Sequence, residues 1–180
     1  DLFARGRDFR QRGDCASAVP LFRRAVEVFP KGLGSLRNLA ECEEQTGRFA
    51  SAKRTWLDLK RALVTTTDSK YAGWDADADT AAARLSPKIA HLTVEVAIEK
   101  GSLPPTVVVN DEPLAAALLG TLLDRDPGAY RIRVTFPGGE PREEKVDLAP
   151  GDSRRVVLRG PERTMDANTT VTTKTPPPPD

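Results

Sequence analysis

The first third of the chain places small and hydrophobic residues at helical spacing. Between residues 2 and 64 they recur every three or four positions, which puts them on one face of successive helices. Gly13 and Gly47 stand where helix ends favour a left-handed residue, and Pro30 stands where a helix should stop. The pattern predicts four helices. It rests on Leu2, Gly6, Phe9, Ala18, Phe22, Ala25, Leu36, Leu39, Ala40, Ala52, Trp56 and Leu59.

A fifth helix is predicted from Ser69 to Ser86. Apolar residues again recur at helical spacing there, with Asp68 able to cap the start and Pro87 able to end the run. Such a helix would cover the apolar end that two stacked helical units expose. Three aspartates within it mimic the opening of a calcium-binding loop, but Thr80 replaces the turn glycine and Ser86 the bidentate glutamate. The sequence therefore predicts no metal site.

Beyond Pro87 the hydrophobic residues alternate with polar ones, which indicates strands. Turn signals such as Asn110-Asp111 separate short apolar or alternating segments, a spacing that favours a small antiparallel β-sandwich or barrel. The apolar run 114–123 fits either a strand or a helical turn under the sheet. The predicted fold class is α + β multidomain, helical first and β second. The predicted strands are 92–98, 106–109, 130–136, 146–148 and 156–158.

The helical pattern repeats after 34 residues. Small residues recur at Gly6 and Ala40, and aromatic residues recur at Phe22 and Trp56. Glu43 departs from the pattern, since it stands where the first unit has an aromatic residue. These spacings resemble the tetratricopeptide repeat, a helix–turn–helix unit of 34 residues. The resemblance implies a stack of helices whose concave side binds peptides or proteins.

The second half resembles the PEGA domain, a small β-sandwich of bacterial envelope and surface proteins. The resemblance rests on the segments at 92–94, 107–113, 126–130 and 148–151. The order of parts, with the segments at 38–43 and 47–52, also resembles myxobacterial envelope proteins in which a proline-rich linker leads to a membrane helix. The resemblance implies a helical repeat domain at 1–88, a PEGA-like sandwich at 89–160 and a disordered Thr/Pro-rich linker at 161–180.

Charge and motif content exclude several function classes. The 180 residues include 27 Lys+Arg and 26 Asp+Glu, so no strongly basic stripe points to nucleic acid. The longest apolar run has ten residues, too few to span a bilayer. With one histidine and none of the common nucleotide-binding or hydrolase motifs, the sequence predicts neither an enzyme nor a cofactor. The acidic cluster of Glu41, Glu43 and Glu44 is expected to form a solvated helix face.

The two cysteines, Cys15 and Cys42, fall on neighbouring predicted helices. A disulfide between them would close 27 residues, and the alternative is a pair of buried thiols. A bridge would favour an envelope compartment over the cytoplasm. The chain begins with Asp1 rather than Met, so a leader or a preceding domain is expected to have been removed.

A partner-binding surface is predicted on the concave side of the helical repeats. Arginines there could meet an acidic peptide, and residues 1–90 carry 16 basic and 12 acidic side chains. Scattered surface arginines on a stack that only spaces the β-domain are the alternative. The candidate residues are Arg7, Arg10, Gln11, Arg37, Glu41 and Gln45.

These observations favour a non-enzymatic protein-interaction scaffold. The resemblances imply a periplasmic or envelope location, with protein or peptide partners and a membrane tether through the proline-rich C-terminus. One alternative is a cell-wall or surface glycan-binding module, and another is the sensory or docking region of a membrane-bound signalling protein such as a kinase. A glycan site needs exposed aromatics, and the sandwich offers only Tyr130 and Phe136, both in phase with buried residues.

Overall fold

The computed structural model describes residues 1–98 and 103–160. Five α-helices come first and seven short β-strands follow, which confirms the predicted fold class. The predicted linker at 161–180 lies outside the described residues. No helix in the described part of the chain is both long enough and apolar enough to cross a membrane. The helices are α1 (Leu2–Gln11), α2 (Cys15–Val28), α3 (Leu33–Gln45), α4 (Phe49–Leu63) and α5 (Trp74–Leu85).

The helices pack in sequence order around two apolar clusters. One cluster surrounds Phe22, which is fully buried between α1, α2 and α3. The other surrounds Trp56 and joins α3, α4 and α5. Gly6 shows why small residues are needed where helices touch: a Cβ atom there would lie 2.7 Å from Cε1 of Phe22. The repeat spacing in the sequence therefore corresponds to real helix contacts.

The fifth helix begins later than predicted. Residues Ser69–Tyr71 form a 3-10 turn, and Gly73 takes a left-handed conformation with φ of 83° before α5 starts at Trp74. The Asp68 side chain caps this short turn by accepting from the Lys70 amide. The Tyr71 ring packs edge-on against Trp74, 4.9 Å between centroids. Tyr71 and Trp74 thus keep helical spacing although the backbone between them is not helical. The hydrophobic pattern of the sequence did not reveal this break.

The strands form two sheets that share one core. The three-stranded sheet has the order β4-β1-β7 and the four-stranded sheet has the order β3-β2-β5-β6. Leu92 and Val94 of one sheet and Ile132 and Val134 of the other are fully buried between them. The sheets do not close into a barrel. The strands are β1 (Ala90–Ala97), β2 (Thr106–Val109), β3 (Glu112–Leu114), β4 (Leu123–Arg125), β5 (Gly128–Thr135), β6 (Arg142–Leu148) and β7 (Ser153–Arg159).

One detail of the β part differs from the sequence prediction. β1 and β7 run parallel, so the sandwich is mostly rather than wholly antiparallel. The run 114–123, for which a strand or a helical turn was predicted, holds a 3-10 turn at Ala116–Leu118 between the ends of β3 and β4. The predicted turn at Asn110-Asp111 is a two-residue hairpin with φ of 47° and 67°.

The turn before β7 contacts the end of the helical part. The Gly151 amide donates to the Lys88 carbonyl at 3.1 Å, and the His91 amide donates to the Asp152 carbonyl at 2.7 Å. Gly151 has φ of 76°, and a Cβ atom there would lie 2.8 Å from the Pro87 carbonyl oxygen. Only glycine fits this turn without strain. The helices and sheets therefore meet through specific backbone contacts.

Candidate functional site

One groove beside the helices lies between α3 and α5. Its volume is about 650 Å³, and α4 contributes Phe49 and Trp56 to its lining. Glu44 on α3 and Arg84 on α5 face each other there in a bidentate pair with contacts of 2.8 Å. Of the predicted residues, Arg37, Glu41 and Gln45 line this groove.

A smaller groove of about 310 Å³ follows between α1 and α3. It is lined by Arg7, Arg10 and Gln11 from α1 and by Asn38 from α3. All six predicted binding residues therefore line one of two grooves on the same surface, which we call the α1–α3–α5 surface. Their role in binding stays a prediction.

The arginines of this surface are less available than the sequence suggested. Arg37 contacts Glu41 at 3.0 Å and Asp77 at 2.9 Å, and its guanidinium lies 4.5 Å from the centre of the Trp74 ring. Arg10 pairs with the same Glu41. Arg7 has no ion-pair partner among the described residues, so it is the member of the predicted arginine trio most able to meet an acidic group.

Two of the three aspartates of α5 bind neighbouring helices. Asp77 pairs with Arg37 on α3, and Asp79 pairs with Lys60 on α4 at 2.6 Å. Within the described ranges no group of three or more metal-ligating side chains comes together. Asp77 and Asp79 thus join α5 to α3 and α4.

One acidic residue of the predicted solvated face is buried. Glu43 is 2 % exposed, and its carboxylate accepts from Arg23 at 2.8 Å and from the Thr55 hydroxyl at 2.7 Å. The expectation for Glu43 was therefore wrong, whereas Glu41 and Glu44 are each 22 % exposed. The signal was present in the sequence, because Glu43 stands where the first unit has the apolar Phe9. The buried carboxylate ties α3 to α2 and α4.

The two cysteine sulfurs are joined in a disulfide. Cys15 Sγ and Cys42 Sγ lie 2.13 Å apart, and the Cα atoms lie 4.9 Å apart. Cys15 opens α2 and Cys42 lies within α3, so the bond ties the first helix–turn–helix unit to the second. It lies beneath the α1–α3–α5 surface, in the cluster around Phe22.

A second contact between the helical and β parts is made by Asp126. Its carboxylate accepts from the Ser51 amide at 2.9 Å and from the Ser51 hydroxyl at 2.6 Å. Ser51 lies in the first turn of α4, so Asp126 caps this helix from 75 residues away. The Tyr130 hydroxyl donates to the Asp126 carbonyl at 2.7 Å, and burial raises the pKa of Tyr130 above its usual value. The turn before β5 is thus fixed on α4.

Replacing Asp126 with alanine should lower the free energy of unfolding by about 1–2 kcal/mol, because a helix cap and its hydrogen bonds are lost. Asp126→Asn should lower the free energy of unfolding by about half as much, since the amide oxygen of asparagine can still accept a hydrogen bond from Ser51. Asp58→Ala is the matched control, because Asp58 lies on the same helix and its side chain is 44 % exposed in a surface pair with Arg61. Urea unfolding measures all three. Equal effects of Asp126→Ala and Asp58→Ala would contradict the capping role.

Neither aromatic residue of the β part is fully exposed. Phe136 is 6 % exposed and packs in the core between the sheets. The Tyr130 hydroxyl is engaged by the Asp126 carbonyl. These are the two aromatics between residues 89 and 160. Among the described strands, the half-buried ring of Tyr130 is therefore the one aromatic surface that a glycan could reach.

Comparison with known proteins finds one family. The model of the tetratricopeptide repeat matches residues 3–60, which run from α1 into α4. No curated protein matches the chain. Repeats of this family generally mediate protein–protein interaction, and they are typically non-enzymatic. Residues 3–60 are thus a tetratricopeptide repeat region, which supplies α1 and α3 of the α1–α3–α5 surface, whereas α5 lies outside the match.

Proposed function

We propose that this chain is a non-enzymatic scaffold that binds a protein partner on the α1–α3–α5 surface. The observation that carries the proposal is that α3 lines two grooves, which are joined by the ion pair of Arg10 in the smaller groove with Glu41 in the larger one. Both α1 and α3 lie in a region that matches a protein-binding repeat. Stacked helical repeats use such extended surfaces to hold peptide segments. The β part acts as a spacer or as a second contact.

The charges on this surface indicate what the partner carries. Arg7 in the smaller groove and Lys88 in the larger one have no ion-pair partner among the described residues. Between them, Arg10, Arg37 and Arg84 are already paired with carboxylates of the chain. The favoured partner segment therefore has little net charge in its middle. Near its two ends it carries acidic side chains that can reach Arg7 and Lys88.

The proposed location is the bacterial envelope. A disulfide persists in oxidising compartments and is rare in the cytoplasm, so the bond between Cys15 and Cys42 supports this location. The resemblance of the second half to an envelope β-sandwich supports it as well. In this proposal the segment 161–180 links the chain to the membrane.

The experiment compares two charge-reversal variants that change the same number of charges. Arg7→Glu/Lys88→Glu alters the proposed surface, and Arg5→Glu/Lys53→Glu alters cations that do not line either groove. The parent and both variants are immobilised and exposed to envelope extract after circular dichroism has shown that each folds. We expect the groove variant to retain at least about tenfold less partner than the control variant, since two charge-assisted contacts become repulsive.

Equal retention by the two variants would contradict the proposed surface. Retention of no protein by any of the three would contradict the scaffold proposal itself. Retention of cell-wall glycan by all three would instead favour the glycan-binding alternative. The identity of the retained protein is read by mass spectrometry, and its acidic segments are then tested directly as peptides.

A further inference from the structure

An apolar groove lies where α1 and α3 begin and α2 ends. Its volume is about 610 Å³, and it shares no lining residue with the two grooves of the α1–α3–α5 surface. Three aromatic rings from three parts of the chain line it: Phe3 of α1, Phe29 directly after α2, and Tyr71 of the 3-10 turn before α5. The protein-binding proposal leaves these rings without a role.

The start of α3 brings two of these rings together and keeps the space between them open. A Cβ atom on Gly32 would lie 3.1 Å from Cδ1 of Phe29, and a Cβ atom on Gly34 would lie 3.3 Å from Cζ of Phe3. Gly34 lies within α3, where glycine is less favourable than alanine. Longer side chains at these two positions would fill the groove, so the glycines preserve it.

The groove exposes adjacent apolar side chains to solvent. Val28 is 67 % exposed and Phe29 is 63 % exposed, and both belong to the lining. Apolar side chains exposed singly are normal, but contiguous ones in a concave surface mark a site of interaction. The charged side chains of the lining are one acid and one base, Asp1 and Lys31. The groove therefore favours an apolar occupant with little net charge.

One segment of this chain has the matching chemistry. Residues 174–180 lie outside the described residues and have the sequence Lys-Thr-Pro-Pro-Pro-Pro-Asp. Proline runs favour the polyproline II conformation, and they bind to aromatic-lined grooves with a low cost in conformational entropy. Lys174 and Asp180 flank the prolines, so the segment carries one cation and one anion, as the groove does. The apolar contacts and the charges of the two surfaces are thus complementary.

We infer that this groove binds the segment 174–180 of the chain, with the proline rings packed against Phe3, Phe29 and Tyr71. The segment is covalently attached to the β part through residues 161–175, which can span about 45 Å when extended. Such a tether raises the local concentration of the segment, so a weak contact is sufficient for docking. Docking would hold the proline-rich segment against the helical stack.

Nuclear magnetic resonance tests the docking in the full chain. The amide signals of Gly32 and Gly34 should move when the prolines are replaced, because the groove then loses its occupant. A synthetic peptide of residues 174–180 should return these signals toward their parent positions. Identical groove signals in the parent and the proline variant would overturn the inference. The proline variant is Pro176→Ser/Pro177→Ser/Pro178→Ser/Pro179→Ser, and its control, which should leave the groove signals unchanged, is Thr169→Ser/Thr170→Ser/Thr172→Ser/Thr173→Ser.

A second pair of variants, made in the proline variant, tests the groove itself. Phe29→Ser removes an exposed ring of the lining, and Val64→Ser removes an apolar side chain that is 82 % exposed and lies outside it. Both side chains are mostly exposed, so both variants should fold. The peptide affinity should fall at least about tenfold in Phe29→Ser, because aromatic anchors dominate such interfaces, and should stay within about twofold in Val64→Ser.

Two outcomes of this titration would overturn the inference. One is equal peptide affinity in Phe29→Ser and Val64→Ser, which would place the peptide outside the groove. The other is equally tight binding of a peptide in which serine replaces the four prolines, which would show that the groove does not select proline. None of these results depends on the α1–α3–α5 surface.

Discussion

Replacing Arg23 with leucine is expected to lower the free energy of unfolding by about 2–3 kcal/mol, because the buried Glu43 carboxylate loses its cation. Glu43 is 2 % exposed and would keep only the Thr55 hydroxyl as a side-chain donor. Breaking a fully buried ion pair costs about 3–5 kcal/mol. The expected loss is smaller here because the Arg23 side chain is 45 % exposed and part of the pair is screened by solvent.

The adjacent residue supplies the control for this prediction. Arg24 pairs with Glu27 on the surface of the same helix, and their side chains are 65 % and 53 % exposed. Arg24→Leu should therefore change stability by less than about 0.5 kcal/mol. Adding Glu43→Gln to Arg23→Leu should recover part of the loss, since a buried neutral amide needs no counter-charge. Equal losses of unfolding free energy in Arg23→Leu and Arg24→Leu would show that the ion pair with Arg23 is not needed to keep Glu43 buried.

Tryptophan fluorescence is the appropriate measurement. Both tryptophans of the chain, Trp56 and Trp74, belong to the helical part. Their emission in a urea titration therefore follows the unfolding of the element that carries the substitution. The slope of the transition should stay constant between parent and variant, because the surface exposed on unfolding is nearly unchanged.

The helical half of the fold was predictable because spacing alone determines which residues face each other. Gly6 and Phe22 stand in the sequence at the positions where two helices must approach, and the structure places them in contact. The break at Gly73 was not predictable. Tyr71 and Trp74 keep helical spacing across it, so the periodicity continues while the backbone does not. A periodic pattern reports which side chains share a face, and it does not report every local turn.

The site was predictable only where residues lie on repeat helices. Arg7 and Arg37 reach the surface because the first helix of each unit faces the same side. Their pairing was not predictable, because Asp77 belongs to α5 and its distance to Arg37 depends on how α5 packs. The parallel pairing of β1 with β7 was not predictable for the same reason, since strands far apart in the sequence meet only through the tertiary fold. Contacts between residues far apart in the sequence are therefore what a single sequence does not predict.

Reduction of the disulfide should lower the free energy of unfolding of the helical part by about 3–4 kcal/mol. The bond joins residues that are 27 positions apart in the sequence. In the chain-entropy model, closing a loop of that length lowers the conformational entropy of the unfolded chain and stabilises the folded state by about this amount. The comparison is between oxidised parent and parent in excess reductant, again by tryptophan fluorescence in urea. The variant Cys15→Ala/Cys42→Ala is the control, because it has no bond to reduce and should unfold at the same urea concentration in both conditions.

The result of this experiment also bears on where the protein works. A loss of that size would remove a large fraction of the marginal stability of a small helical stack, so the chain would depend on an oxidising compartment to keep its helices folded. The proposed partner binding at the α1–α3–α5 surface would then be lost in reductant in step with the unfolding of the helices. A parent that is equally stable with and without reductant would contradict the stabilising role of the bond and remove the strongest support for an envelope location.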